Sequence, residues 1–166
     1  MPVSRGSLPP DLLKLRRSWE EFLTPHRWDV VMTLTFGTRT CRPWLELSPE
    51  RADKDFRRLI RFANEQLYGK RWIRKTWHKG VVWVRVQEAH RDGTLHYHAC
   101  LHSPSKAISG SLVALLQDWW SRRIGMARVE VPTNHARAVA YVVKNAGCGP
   151  AVEVELSHNF HTIARL

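Results

Sequence analysis

Residues 81–102 read VVWVRVQEAHRDGTLHYHACLH. Two β-prone runs, 81–89 and 95–102, flank Asp92-Gly93, a dipeptide suited to a tight turn, so the segment predicts an antiparallel hairpin. Side chains alternate across a strand. Leu95, Tyr97, Ala99 and Leu101 therefore share one face of the returning strand, and His96 and His98 share the other. Their Cα atoms stand roughly 6.5–7 Å apart, two steps of about 3.3 Å. That spacing lets two imidazoles converge on one ion at about 2.0–2.1 Å. If the strands pair through the turn, Glu88 lies beside His96 on the same face. Two imidazoles and a carboxylate leave positions open for substrate. The mixed donors suit Mn²⁺, Mg²⁺ or Zn²⁺. The plain alternative is a pair of strand histidines facing solvent. Cys100 and His102 continue the same face and raise a structural zinc as a second alternative. A straight strand spreads four alternate residues over roughly 20 Å, so no single ion takes all four. His90, placed in the turn, is a further candidate.

Working outward, residues 11–24 predict a short helix from Leu12, Leu15, Trp19 and Phe22/Leu23, closed by Pro25. Residues 29–37 (DVVMTLTFG) predict a strand, apolar on both faces at first and hence central. Residues 38–48 are irregular. Ser48-Pro49-Glu50 starts a helix: a capping serine, proline in the first turn, then an acid at the positive end of the dipole. It runs to Tyr68, burying Ala52, Phe56, Leu59, Ile60, Ala63 and Leu67, and stops at Gly69. A second helix over 111–122 rests on Leu112, Leu115, Leu116 and Trp119. A short strand follows at 126–131, a third helix at 133–146 with Gly147 past its end, and a last strand at 151–156.

The order is β-α-β-β-α-β-α-β after an N-terminal helix, and its first six elements match the split βαβ, ferredoxin-like arrangement. The fold class is α+β: an antiparallel sheet of about five strands, with helices on one face and the other face free for a ligand. The chain reads as one domain over 1–166, with the helix at 11–24 appended to a core of about 28–156.

Composition narrows the partner. Lys and Arg number 26 against 15 acids, a formal charge of +11 and a pI near 10.3. Such a surface attracts a polyanion, nucleic acid first. An anionic membrane is the weaker candidate, because no apolar run of about 18 residues occurs. The N-terminus lacks a secretory hydrophobic segment. Three cysteines without CxxC spacing argue against a disulfide framework and for a reducing, cytoplasmic setting. Residues 70–80 interleave Lys70, Arg71, Arg74 and Lys75 with Trp72 and Trp77, a pattern suited to phosphates and stacked bases. The same segment is equally a solvated loop with its tryptophans tucked into the core.

The third helix is apolar except along one stripe: Asn134, Arg137, Tyr141, Lys144 and Asn145, spaced for a single helical face. Tyr141 thus sits in a positive field that attracts phosphate, or is simply a border tyrosine with its hydroxyl in water.

Together these motifs resemble the HUH endonucleases, and among them the rolling-circle replication initiators. A hydrophobic strand of the type Met32-Thr33-Leu34-Thr35-Phe36 comes first. The metal-binding His96-Tyr97-His98 follows, and the helix motif Tyr141-Val142-Val143-Lys144 comes last. The match extends from about residue 30 to 146.

The resemblance implies that His96, His98 and Glu88 hold a divalent ion, Mn²⁺ or Mg²⁺. It implies that Tyr141 attacks a phosphodiester in single-stranded DNA at an origin hairpin, leaving a 5′-phosphotyrosyl enzyme and a free 3′-hydroxyl. Lys144 then positions the phosphate or the tyrosine, and Arg137 joins Lys70, Arg71, Arg74 and Lys75 as DNA contacts. With Lys144-Asn145 after the tyrosine and no second tyrosine nearby, the expected type is a single-tyrosine enzyme. No GxxxxGK[ST] loop occurs, so the expectation is that unwinding comes from another protein, a separate helicase with host replication proteins, or from a part absent from this chain. The implied source is a phage, plasmid or virus. The rival from another class is a non-catalytic single-stranded nucleic-acid-binding module on the same topology. HUH relaxases and transposases share the histidine motif.

Overall fold

The computed structural model describes residues 9–37, 47–76, 80–89, 94–146 and 152–163. The Asp92-Gly93 turn, His90, Trp77, Gly147 and most of the irregular stretch 38–48 lie outside the described residues. The elements are α1 (Pro10–Leu23), β1 (Val30–Thr35), α2 (Pro49–Tyr68), α3 (Trp72–Thr76), β2 (Val82–Ala89), β3 (Leu95–His102), α4 (Gly110–Arg123), β4 (Ala127–Glu130), α5 (His135–Val142) and β5 (Val154–Leu156). A short 3₁₀ turn, Phe160–Thr162, follows.

The five strands form one sheet in the order β4-β1-β3-β2-β5, with every neighbouring pair antiparallel. This is the expected α+β arrangement, with β3 slotted between β1 and β2 and with β5 added beyond β2. β1 is flanked on both sides, as its apolar opening demands.

Capping chemistry sets the helix ends. The Ser48 hydroxyl accepts a hydrogen bond from Arg51 N, Pro49 fills the first turn, and Gly69 closes α2 at φ +84°. The predicted stripe of α2 is buried throughout. α4 starts one residue earlier than expected, capped by Ser109, and buries Leu112, Leu116 and Trp120 while Leu115 faces solvent.

Both faces of the sheet carry a core, which corrects the expectation of one free face. On the first face, Met32, Leu34, Tyr97, Leu101 and Trp83 pack beneath α2 and α4. On the second, Val82, Val84, Val86 and Cys100 pack beneath Val139, Val142 and Val143, with Leu23 and Trp28 from the N-terminal segment. The physical reason lies in β2: valines at 82, 84 and 86 would expose an apolar row unless α1 and α5 covered it. The cover is partial. Val31, Thr33 and Thr35 of β1 are only half-buried, and Arg128 and Glu130 of β4 are exposed, so the β4–β1 half of this face stays open.

Arg85 is buried on the first face, over the rings of Tyr97 and Phe56 at 4.6 and 5.0 Å. Its charge is answered by Asp53 of α2 at 2.7 Å and by Glu155 of β5. Arg57 bridges the same two acids, at 2.8 Å to Asp53 and 2.7 Å to Glu155. A buried charge persists only with such partners, and here they tie the start of α2 to the last strand.

Candidate active site

The hairpin register pairs Glu88 with His96, as the sequence predicts, and sets Thr33 and Thr35 of β1 opposite His98 and His96. All five side chains share the second face. The two threonines occupy alternate positions, as the histidines do, so each hydroxyl meets one imidazole. Thr35 Oγ1 lies 2.9 Å from His96 Nδ1, and Thr33 Oγ1 lies 3.3 Å from His98 Nδ1. These contacts engage the Nδ1 side of both rings, the orienting role that partners of metal-ligating histidines perform.

Glu88 faces His96 in register but reaches diagonally to His98, Oε2 to Nε2 at 2.9 Å. Diagonal neighbours on paired strands are within reach of long side chains. Its other oxygen accepts a hydrogen bond from Asn145 Nδ2 at 2.5 Å. Burial lowers the affinity of His98 for a second proton, and the Lys144 ammonium adds to that, so the ring favours its neutral form.

The tyrosines sort themselves by position. The chain has three. Tyr97 is fully buried on the opposite face, where burial pushes its hydroxyl up to about 12. Tyr68 bonds Ser103 at 2.7 Å, beyond the far end of β3 from His96. Tyr141 alone stands against the histidines: its ring meets that of His98 edge-on at 5.2 Å, and it is 43% exposed. Lys144 Nζ sits over the Tyr141 ring, 4.5 Å from its centroid.

α5 ends earlier than its apolar pattern predicts, at Val142 rather than Ala146. Turns at 143–146 follow, held by Val143 N to Val139 O and Ala146 N to Val143 O. The polar stripe is therefore not one continuous helical face. Tyr141 leaves from the last helical turn, while Lys144 and Asn145 reach the site from the turns beyond it.

The structure brings together His96, His98, Glu88, Tyr141 and Lys144. Arg137 is exposed one helical turn before Tyr141. Lys70, Arg71 and Arg74 are exposed on and before α3, which also carries Lys75. That segment leads into the start of β2, whereas Glu88 stands six residues on, roughly 20 Å along the strand. Trp72 there is half-buried, with its ring edge close to Gly80. The basic segment is thus not part of the histidine cluster. Cys100 and His102 have separate employments: Cys100 is fully buried, with its thiol pushed up by burial, and His102 Nδ1 lies 2.8 Å from Asp29 Oδ2.

Among the described residues, no group of three or more His, Cys, Asp and Glu side chains is arranged to hold a metal ion. The donor types at His96, His98 and Glu88 nevertheless fit a divalent cation. The 2.9 Å between His98 Nε2 and Glu88 Oε2 is close to the separation of two adjacent ligand atoms each about 2.1 Å from one ion. An ion there would replace the direct Glu88–His98 contact.

Sequence reasoning left Thr33, Thr35 and Asn145 without a role. The threonines were findable, because their two-residue spacing copies that of the histidines. Asn145 was read only as part of the polar stripe with Tyr141 and Lys144, and nothing in that spacing points it at Glu88. Neither a curated protein nor a solved structure matches the chain. The family model for Replication-associated protein ORF2/G2P matches residues 29–147, from the start of β1 to just past the Tyr141–Asn145 turn. The chain therefore belongs to the replication-associated protein ORF2/G2P family.

Proposed function

We propose that this replication protein is a metal-dependent nicking and joining enzyme of the HUH type with one catalytic tyrosine, opening single-stranded DNA at an origin to start rolling-circle replication. The observation that carries the reading is the contact of Tyr141 with His98, whose ring is in turn held by Glu88 and Thr33. His96, His98 and Glu88 would hold a divalent ion, which would supply positive charge against the oxygens of the scissile phosphate. Thr33 and Thr35 hold the imidazoles in orientation, and Asn145 fixes the carboxylate. Lys144, beside the phenol, attracts the phosphate to the tyrosine. The Tyr141 Oη–phosphorus bond forms as the phosphorus–O3′ bond breaks; the phenol loses its proton to solvent and the departing O3′ gains one. The phosphotyrosyl ester divides the reaction in two and keeps the strand joinable.

The test incubates labelled single-stranded oligonucleotides, including a randomised pool, with the protein and Mn²⁺, and resolves the products on a denaturing gel. A covalent adduct is expected, absent in Tyr141→Phe and with chelator. Binding without an adduct on any DNA would leave the non-catalytic module as the better reading. The burial of Tyr97 behind α2 speaks against that module, which needs aromatics on an open sheet face.

A further inference from the structure

The open half of the second face forms a groove of about 370 Å³ between β4–β1 and α5. It shares two residues with the candidate active site: Thr33, which contacts His98, and Tyr141. Its floor and rim are apolar at Val31, Val131 and Pro132, and Val131 is 58% exposed. Two cations line it. Arg128 is paired with Glu130 at 2.9 Å, also on the groove wall, while Arg137 makes no ion pair with another described residue. An apolar floor beside one uncommitted guanidinium suits neither a purely apolar nor a purely anionic ligand. It suits a flat base joined to a phosphate. The volume lies at the small end of the roughly 300–1,000 Å³ range of ligand pockets, which is room for one such unit.

We infer that this groove holds the unpaired nucleotide adjoining the scissile linkage, its base on Val31 and Val131 and its outer phosphate at Arg137. The inference rests on the nicking reading in one respect: a strand whose phosphate is presented to Tyr141 must continue past it, and the groove begins at that side chain. Residues at its rim then set which base is accepted next to the cut.

The experiment measures binding of fluorescein-labelled dT10 by anisotropy at low salt, in the Tyr141→Phe background so that no strand is cut. Arg137→Glu and Val131→Asp alter exposed side chains. Arg122→Glu, exposed on α4 across the sheet, makes the same charge change away from the groove. Arg137→Glu and Val131→Asp are each expected to weaken binding about tenfold, and Arg122→Glu less than about threefold. Equal losses in Arg137→Glu and Arg122→Glu, or no loss in either groove variant, overturn the inference even if wild-type protein forms its adduct. Loss confined to the groove variants supports it as a nucleotide site. Should that loss come without any adduct from wild-type protein, the nicking reading falls and the groove stands.

Discussion

Glu88 is held between two partners, His98 Nε2 at 2.9 Å and Asn145 Nδ2 at 2.5 Å. The asparagine holds one carboxylate oxygen, which leaves the other turned to His98. Asn145→Ala is expected to lower adduct formation about tenfold to a hundredfold, the range for partners that orient metal ligands. The half-saturating Mn²⁺ concentration should rise while the melting temperature barely moves. A loss of rate at unchanged Mn²⁺ dependence would mean that Asn145 does not act through Glu88. Asn145→Asp should be worse than alanine, because it sets two carboxylates against each other. Residue by residue, the legible parts of the site were those whose spacing repeats a secondary-structure period. His96 and His98 alternate, and so do Thr33 and Thr35. Asn145 shares a polar stripe with Tyr141 and Lys144, but only the path of the chain brings it to Glu88.

At the scale of elements, the turn from α4 into β4 clamps the end of β1. Thr35 N donates to Met126 O at 2.8 Å, Gly37 N donates to Ile124 O at 3.1 Å, and Trp120 Nε1 donates to Thr35 O at 3.1 Å. Gly125 lies in the middle of this clamp. A Cβ there would stand 2.1 Å from Thr35 O and 2.4 Å from Gly37 N, both backbone atoms, so one strand of the crossing would have to move. Gly125→Ala is expected to cost about 1–3 kcal/mol in urea unfolding, the usual range for overpacking. Because Thr35 also touches His96, the variant should lose adduct formation at temperatures where it remains folded. Full activity at reduced stability would show that the strain is absorbed on the α4 side. Hydrophobic period and capping residues located these elements to within a few residues. They misplaced the end of α5, because the apolar pattern continues to Ala146 while the helix stops at Val142. Those few residues of turn are what aim Lys144 and Asn145.

Over the whole molecule, ion pairs join segments far apart in the chain, and they predict how stability depends on pH. Burial opposes ionisation of Asp29. Hydrogen bonds from His102 and Ser103 N outweigh it and hold the carboxyl below its ordinary range. Asp53 behaves alike: burial raises it, and Arg57 and Arg85 bring it below the ordinary value. A carboxyl depressed on folding contributes stability that is fully present above its unfolded value, about 3.9, and that is lost as pH falls through the lower folded value. The melting temperature should therefore hold near neutrality and drop below about pH 4. Asp29→Asn should reduce stability at pH 7 by about 1–3 kcal/mol, because His102 and Ser103 N would no longer face a charged acceptor, and it should flatten the acid limb. An acid limb unchanged by that substitution would place the titrating groups elsewhere. The sequence by itself determined the α+β order, the strand faces and the histidine pair, because hydrophobic period and caps act locally. Tertiary structure alone decided that Glu88 reaches His98 rather than its register partner, that Asn145 holds Glu88, and that the basic segment at 70–75 lies away from the histidines. It also decided that α1 and α5 cover half of the face expected to be free. Those outcomes depend on strand stagger, on where a helix stops and on which apolar surface needs covering, and no short-range pattern encodes them.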